Sequence, residues 1–273
     1  DGLCQTASSV SRLEKAGCVV TDVPDLLSML WTDRPGIPSA PVMTLSEDSV
    51  GKTRYGKLTD LRKFLMLHDS DCMLISALDQ IAWLLNVRGE DIGYNPYVIS
   101  YLLVTQSDAC WFAKKGDELL DPDTEDSFQE LEADGISIMP YQDVTAALDD
   151  YFKSECPKVF LDLSTMNYSL YRSIADSVGE EGIVTGTSPV TLWKAVKNSA
   201  EIDGMREAFL EDGIAMEKFL FWLDTEVRSG RTVNEWEASE KLTSLRAQIP
   251  GYRGDSFANI SAYGANAALP HYS

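Results

Sequence analysis

Residues 72–85 begin with Cys72-Met73-Leu74-Ile75-Ser76 and continue from Ala77 to Leu85, and the pattern changes partway along this segment. Its first five residues form a short, almost continuously apolar run, which is typical of a buried strand. From Ala77 onward the apolar residues recur at helical spacing. The segment therefore predicts a buried strand that leads directly into a helix.

The same alternation of short apolar runs and amphipathic segments extends outward on both sides. Leu58 to Leu67 predicts an amphipathic helix before the strand. The elements predicted after it are strands at 97–104, 109–113, 136–139 and 159–162 and a helix at 141–152. Because helices alternate with short strands, the predicted fold class is α/β with a mixed sheet.

A proline-rich segment, residues 31–41, marks the first domain boundary. Pro35, Pro38 and Pro41 lie close together, and proline can continue neither a helix nor a central strand. Before this connector, Pro24 and the following Leu26, Leu27 and Leu30 predict a short helix. We therefore expect residues 1–41 to be the C-terminal remnant of an N-terminal domain plus its linker, 42–189 a middle domain, and 190–273 the N-terminal part of a third domain.

The third part opens with two helices. Asn198 and Glu201 have the spacing of a capping box, and Thr232 with Glu235 predicts a second one. One apolar stripe follows the first box for about eight turns; its members are Ile202, Met205, Phe209, Met216, Leu220, Leu223 and Val227. Residues 257–261 predict a short strand. Two helices and one strand cannot bury both of their faces, so we expect this domain to be incomplete.

Composition limits the partners of the chain. Its 273 residues carry 23 Lys and Arg against 43 Asp and Glu, a formal net charge of -20. Phosphate-rich partners require clustered positive charge, which argues against nucleic acid and anionic membrane surfaces. No stretch approaches the roughly 20 apolar residues of a membrane span. The five cysteines form no C-x-x-C pair; they are expected to be reduced thiols packed as small hydrophobes, which favours a cytoplasmic location.

Acidic residues concentrate between Asp117 and Asp134, and no Lys or Arg occurs from Gly116 to Phe152. A solvated loop and helix face explains this pattern, and a cation site or a docking surface for a basic partner are the alternatives. The calcium-binding loop of an EF-hand is absent.

Familiar nucleotide-binding and hydrolase motifs are also absent, including G-x-G-x-x-G, G-x-x-x-x-G-K-[ST] and G-x-S-x-G. With only His68 and His271, the chain cannot form a histidine-rich metal site. His68 ends an amphipathic helix, where an imidazole can interact with the last carbonyls, so we expect a structural role. His271 follows a turn of small residues that allow a ligand to approach closely, which makes it the candidate functional histidine.

The segment around His271 resembles a family signature. Residues 264–272, Gly-Ala-Asn-Ala-Ala-Leu-Pro-His-Tyr, resemble the G-x-N-x-A-x-x-H-Y segment of aminopeptidase P (Xaa-Pro aminopeptidase). This chain has Ala265 and Ala267 where the family often has Pro and Gly. Three other segments agree in order and spacing: 195–206 with the first helix of the catalytic domain, 77–101 with the start of the middle domain, and 31–35 with the linker of the three-domain eukaryotic type.

This resemblance implies a creatinase-like middle domain followed by part of a pita-bread domain. It also implies hydrolysis of the bond before proline in peptides with proline at position two. Family members use two divalent metals, commonly manganese, which activate a bridging hydroxide. The histidine that matches His271 is catalytic and hydrogen-bonds the substrate. The five metal ligands, two Asp, one His and two Glu, lie downstream of this segment, so no metal ligand is assigned and no metal is expected in these residues.

Two hypotheses follow from the resemblance. In the first, the chain is part of a cytosolic Xaa-Pro aminopeptidase and is inactive as given because it lacks the ligands. Members of this size usually dimerise through the catalytic domain; this chain has only part of that domain, so a homodimer is one possible assembly and the oligomeric state is left open. In the second, the chain belongs to a catalytically dead pita-bread protein that binds a basic partner, as in certain histone-chaperone subunits, for which a charge of -20 is suitable.

Overall fold

A computed structural model describes residues 1–21, 23, 25–113, 122–155 and 157–272. The chain divides into two compact units, Asp1–Lys197 and Asn198–Ser273. Within the described ranges, no helix is long and apolar enough to cross a membrane.

The first unit contains eight α-helices, two short 3-10 helices (Tyr141–Asp143 and Glu180–Gly182) and eight strands in its described residues. The helices are α1 (Ala7–Lys15), α2 (Glu47–Val50), α3 (Arg54–Leu67), α4 (Leu78–Leu85), α5 (Pro122–Ala133), α6 (Val144–Glu155), α7 (Tyr168–Val178) and α8 (Pro189–Ala195). The strands are β1 (Val42–Thr44), β2 (Cys72–Ile75), β3 (Val87–Gly89), β4 (Ser100–Thr105), β5 (Ala109–Ala113), β6 (Ile136–Pro140), β7 (Val159–Leu161) and β8 (Ile183–Thr185).

Six of the strands form one mixed sheet in the order β6-β5-β4-β2-β7-β8. The central pair β2 and β4 is antiparallel, with Leu74 opposite Leu103, whereas β7 runs parallel to β2. Strands β1 and β3 make a separate antiparallel pair. The predicted α/β fold class with a mixed sheet is therefore confirmed.

Alternating side chains of the central strands supply two hydrophobic cores, one on each face of the sheet. Leu102 and Val104 of β4 belong to the core that contains α3, α4 and α5. Leu103, between them, belongs to the core that contains α6 and α7. Since neighbouring residues of a strand point to opposite faces, a continuous apolar run indicates a strand covered on both sides.

The N-terminal residues differ from the prediction. The helix predicted from Leu26, Leu27 and Leu30 is wrong: residues 26–30 form turns and these leucines are exposed, while Pro24 lies outside the described residues. The carboxylate of Asp25 accepts hydrogen bonds from the Leu27 amide, 3.0 Å, and the Ser28 hydroxyl, 2.8 Å. Such local bonds compete with helix formation. Residues 35–41 contain neither helix nor strand, as predicted.

The second unit has two long helices, α9 (Ser199–Arg228) and α10 (Glu235–Arg246), and a short 3-10 turn at Gly264–Ala268. The capping box predicted for Asn198 and Glu201 is confirmed at the start of α9. The prediction of a second capping box, at Thr232 and Glu235, is wrong. Asn234 caps α10 instead, and its Oδ1 accepts the Glu237 amide at 2.8 Å.

The strand predicted at 257–261 is also wrong. These residues are described and are not paired with another strand. The Asn259 side chain instead donates to the hydroxyl oxygen of Thr243, 2.8 Å, and the carbonyl of Ser239, 3.3 Å. A strand needs a neighbouring strand for its backbone, and the described part of this unit has none.

Candidate functional site

His271 lies in the second unit, in the turn that follows Gly264–Ala268. Its side chain is exposed, and the ring makes no hydrogen bond within the part of the chain that the structure describes. Pro270 precedes it and fixes its own φ, so the backbone that enters the histidine is stiff. The imidazole is therefore available to an incoming group.

Gly264 begins the turn before His271 with a φ of 59°. This is the left-handed region, which costs an L-residue with a Cβ roughly 1–2 kcal/mol. Nothing lies within 4 Å of the position that a Cβ would take there, so the backbone angle alone accounts for the glycine. The small-residue turn recognised in the sequence thus depends on glycine at its first position.

Glu235, the first residue of α10, holds this segment from the side. One carboxylate oxygen, Oε1, accepts the backbone N–H of Tyr263 at 2.5 Å, and the other, Oε2, accepts the hydroxyl of Tyr272 at 2.7 Å. The Asn266 side-chain amide lies 3.1 Å from both oxygens and 3.1 Å from the Tyr272 hydroxyl oxygen. Three donors from one segment therefore meet at one carboxylate, and we call Glu235, Tyr263, Asn266 and Tyr272 the Glu235 clamp.

Hydrogen bonding in the Glu235 clamp moves two pKa values in opposite directions. The Tyr272 hydroxyl, the Tyr263 amide and the Asn266 side chain all donate to the carboxylate and lower the pKa of Glu235. The same bond raises the pKa of Tyr272, because its proton is held by a carboxylate. Both shifts favour an ionised Glu235 and a protonated Tyr272, which is the pairing that the clamp requires.

The clamp assigns different tasks to the residues of the G-x-N-x-A-x-x-H-Y segment. Gly264 provides the turn, while Asn266 and Tyr272 attach it to α10. His271 is left facing outward. Glu235 was missed as part of this site, because its partners lie 28, 31 and 37 residues further along the chain and local spacing cannot show such contacts.

His68, the other histidine, occupies the end of α3 as the sequence predicted. Its Nδ1 donates to the carbonyl oxygen of Phe64 at 2.8 Å, and its ring stacks on the Phe64 ring with 3.9 Å between centroids. An imidazole that bonds a carbonyl of its own last turn stabilises the helix end. Both histidines are exposed, but the His68 ring is hydrogen-bonded to its own helix, whereas the His271 ring makes no hydrogen bond among the described residues.

The acidic stretch from Asp117 to Asp134 is described only from residue 122 onward, where α5 begins. Two of its carboxylates, Glu130 and Asp134, pair with the buried guanidinium of Arg54, with 2.9 Å to Glu130. The Thr44 hydroxyl also donates to Glu130 at 2.6 Å. This hydrogen bond, followed by the one from Arg54, lowers the pKa of the Glu130 carboxyl. Part of the acidic stretch therefore attaches α5 to α3 and β1.

Two cavities of about 660 and 680 Å³ lie elsewhere. The first, between α9, α10 and the loop after α10, is lined by charged side chains that pair with one another, Arg246 with Asp212 at 2.6 Å and with Asp255 at 3.7 Å. The second lies beside α1 and residues 163–164. Neither cavity is lined by His271.

No group of three or more His, Cys, Asp or Glu side chains in the described residues is arranged to hold a metal ion. The described residues therefore do not fit a dinuclear metal centre.

The described cysteines belong to no such group either. Cys4 and Cys18 are exposed free thiols, so they are not packed as predicted, whereas Cys72 is buried and Cys110 half-buried. Burial raises the pKa of the Cys72 thiol to about 12. Cys156 lies outside the described residues.

Comparison with family models divides the chain near the boundary between the two units. Residues 33–201 match the creatinase/prolidase N-terminal domain, and residues 203–273 match metallopeptidase family M24.

Curated relatives resemble this chain along nearly its whole length. An Xaa-Pro aminopeptidase of Caenorhabditis elegans is 36% identical over 97% of this chain and 42% of its own length. A probable Xaa-Pro aminopeptidase P of Verticillium alfalfae is 39% identical over 91% of this chain and 40% of its own. The chain thus spans about two fifths of the length of these relatives.

Solved structures agree with this relationship. The X-prolyl aminopeptidase of Caenorhabditis elegans, described as a cytosolic enzyme with a di-nuclear active site, superposes with a TM-score of 0.85 at 36% identity, over 98% of this chain and 43% of that one. An X-Pro aminopeptidase of Thermotoga maritima gives a TM-score of 0.52 at 20% identity, over 77% of this chain and 55% of its own, and shows a shared fold.

Proposed function

Because the chain belongs to the creatinase/prolidase N-terminal domain family and continues into a segment of metallopeptidase family M24, we propose that it is part of an Xaa-Pro aminopeptidase. The reaction proposed for the whole protein is release of the N-terminal residue from peptides with proline at position two. The observation that carries the proposal is the 36% identity to one such enzyme over 97% of the chain, together with a TM-score of 0.85.

His271 is the catalytic residue in this proposal. Its exposed ring, on a segment fixed on both sides, suits a donor that hydrogen-bonds the substrate and the oxyanion formed at the carbonyl before proline. A preorganised donor at that position contributes on the order of 10²–10³ in rate. Two divalent metals, manganese in the family resemblance, would supply the activated hydroxide. They are proposed to bind to residues outside the 273 of this chain.

The domain division and the setting of the whole protein belong to the same proposal. The predicted domains stay 1–41, 42–189 and 190–273. In the structure, however, α1 belongs to the first unit: the Ala7 amide donates to the Met166 carbonyl and the Ser8 amide to the Leu163 carbonyl, both at 2.9 Å. A cytoplasmic enzyme is supported by the cytosolic relative. A homodimer stays a prediction.

The decisive experiment compares this chain with the longer protein that contains it. We expect the longer protein, loaded with Mn²⁺, to release the first residue from a peptide with proline second but not from the same peptide with alanine second. His271→Ala should lower kcat/KM on the order of 10²–10³-fold, whereas His68→Ala, which changes the helix-bound histidine, should change it less than about 3-fold. The 273 residues alone should show no turnover above the blank.

Failure of the longer protein to cleave the proline peptide with Mn²⁺, Zn²⁺ or Co²⁺ would contradict the peptidase proposal. Binding of a basic protein such as a histone by that inactive protein would then favour the alternative of a dead pita-bread module. Turnover by the 273 residues alone would contradict the proposal that the metal ligands lie outside them.

A further inference from the structure

We propose that Glu235 is the positioning residue for His271: its carboxylate fixes the segment 263–272 and thereby the place of the imidazole. The inference rests on the proposed function for its catalytic meaning and on the Glu235 clamp for its geometry. Glu235 itself does not contact the histidine ring, so it acts through the backbone that carries His271.

The donors to Glu235 lie on both sides of His271. Tyr263 binds it before the 3-10 turn, Asn266 within the turn, and Tyr272 directly after the histidine. A peptide attached at both ends has little freedom in between, and Pro270 removes more of it. The backbone of His271 is therefore fixed while its side chain stays exposed.

The negative charge of Glu235 makes these hydrogen bonds stronger than the neutral hydrogen bonds of an ordinary turn. All three donors bond to a carboxylate, and charge-assisted hydrogen bonds are roughly twice as strong as neutral ones. The Asn266 amide also reaches the Tyr272 hydroxyl oxygen at 3.1 Å, which closes a triangle with Glu235. Glu235 is the first residue of α10, and this helix also holds residues of the following loop, since the Thr243 hydroxyl donates to Asp255 at 2.6 Å. The Glu235 clamp thus attaches the irregular segment 263–272 to the N-terminus of helix α10.

Replacement of Glu235 has a defined structural effect. In Glu235→Gln one oxygen becomes an N–H₂ group, which cannot accept a proton, so either Tyr263 or Tyr272 loses its acceptor, while Glu235→Ala removes the bonds from all three donors. Tyr272→Phe removes the hydroxyl alone and keeps the ring. The matched control is Glu237→Gln on the same turn of α10, because the carboxylate of Glu237 pairs with Arg231 and not with the segment of His271.

The first test uses NMR on the 273-residue chain and does not depend on catalysis. In Glu235→Ala we expect the Tyr263 amide to exchange at least about 10-fold faster and the His271 backbone to gain picosecond-to-nanosecond motion, whereas Glu237→Gln should leave both unchanged. With Tyr labelled at Cζ, Glu235→Gln should lower the pKa of Tyr272. An unchanged Tyr263 exchange rate and unchanged His271 motion in Glu235→Ala would overturn the proposal.

The second test is a double-mutant cycle in the longer enzyme. If Glu235 acts through His271, Glu235→Gln and Tyr272→Phe should each lower kcat/KM on the order of 10²-fold, since small misplacements of a catalytic group have effects of that size. In the His271→Ala background the same substitutions should cost less than about 2-fold. Equal losses in both backgrounds would overturn the positioning role. If the longer protein does not cleave the peptide at all, the proposed function fails, and the NMR outcome alone decides whether Glu235 fixes the segment.

Discussion

Lys57 is fully buried in the first unit, with 1% of its surface exposed, and its ammonium group is well satisfied. Nζ donates to the carbonyl of Trp83 at 2.8 Å and to Oδ1 of Asn86 at 2.7 Å, and it lies 4.0 Å from the centroid of the Trp83 ring. A buried charge is tolerated only with such partners.

By contrast, the buried Nε1 of Trp111 has no hydrogen-bond partner in the described part of the chain, which costs about 1–3 kcal/mol.

Replacement of Lys57 by methionine is therefore expected to destabilise the first unit. Lys57→Met keeps an unbranched side chain of nearly the same length but removes the ammonium group that donates to the Trp83 carbonyl and to Oδ1 of Asn86. The free energy of unfolding should therefore fall by about 2–4 kcal/mol. Urea denaturation followed by circular dichroism measures this. The control is Lys63→Met on the same helix, whose side chain is 67% exposed and which should change stability by less than about 0.5 kcal/mol. Equal losses of unfolding free energy at the two positions would contradict a stabilising role for the Lys57 contacts.

Between elements, a polar network joins the carboxyl end of β7 to α4 and α8. Oδ2 of the buried Asp162 accepts the Ser188 amide at 2.8 Å, and Oδ1 accepts the Ser164 hydroxyl at 2.6 Å. The Ser188 hydroxyl donates to Oε1 of Gln80 at 2.6 Å, and Nε2 of Gln80 donates to Thr191 at 3.0 Å. Because β2, β7 and β8 run parallel, their carboxyl ends meet at this edge, and the network fixes the helices that begin there.

Asp162→Asn tests this network with a nearly isosteric change. The Ser164 amide also donates to Oδ1 of Asp162, at 3.0 Å. The new side-chain amide would direct N–H groups at the Ser188 N–H or the Ser164 N–H, so at least one donor loses its acceptor, at an expected cost of about 1–3 kcal/mol in the free energy of unfolding. Asp176→Asn on α7, with a side chain 73% exposed, is the matched control and should be nearly neutral. Hydrogen exchange at the Ser188 amide locates the effect: unchanged protection in Asp162→Asn would contradict the assignment.

The elements also show how far the sequence could predict this molecule. Strands β2, β4, β5, β6 and β7 were identifiable because each lies in an apolar run. Strands β1, β3 and β8 are short and each includes a polar residue, so they show no distinctive pattern. The pairing order cannot be read from periodicity, since it depends on contacts between distant parts of the chain. The site divides in the same way: His271 and its turn were recognisable locally, but Glu235 joins them across at least 28 residues.

For the whole molecule, the two units differ sharply in how much apolar surface they bury. The first unit has two cores around its sheet. In the second, Ala215, Ala238 and Leu242 are the buried hydrophobic residues among those described. Large apolar side chains of α9 stay exposed instead, including Phe209 at 72%, Leu210 at 66% and Phe221 at 77%. Burial of apolar surface is the main stabilising contribution to folding, so stability should be concentrated in the first unit.

We therefore expect the chain to unfold in two stages. Amides of α9 and α10 should exchange with solvent at a much lower denaturant concentration than those of β2 and β4, and the chain should bind a dye specific for exposed apolar surface.

The same substitution in each unit gives the matched comparison. Leu61→Ala, at a fully buried position of α3, should cost about 2–5 kcal/mol in the free energy of the second stage. Leu210→Ala on the exposed face of α9 should change either stage by less than about 0.5 kcal/mol, since it removes no buried contact. A single cooperative transition with equal amide protection in α9 and β4 would contradict this picture, because it would require the apolar face of α9 to be covered in solution.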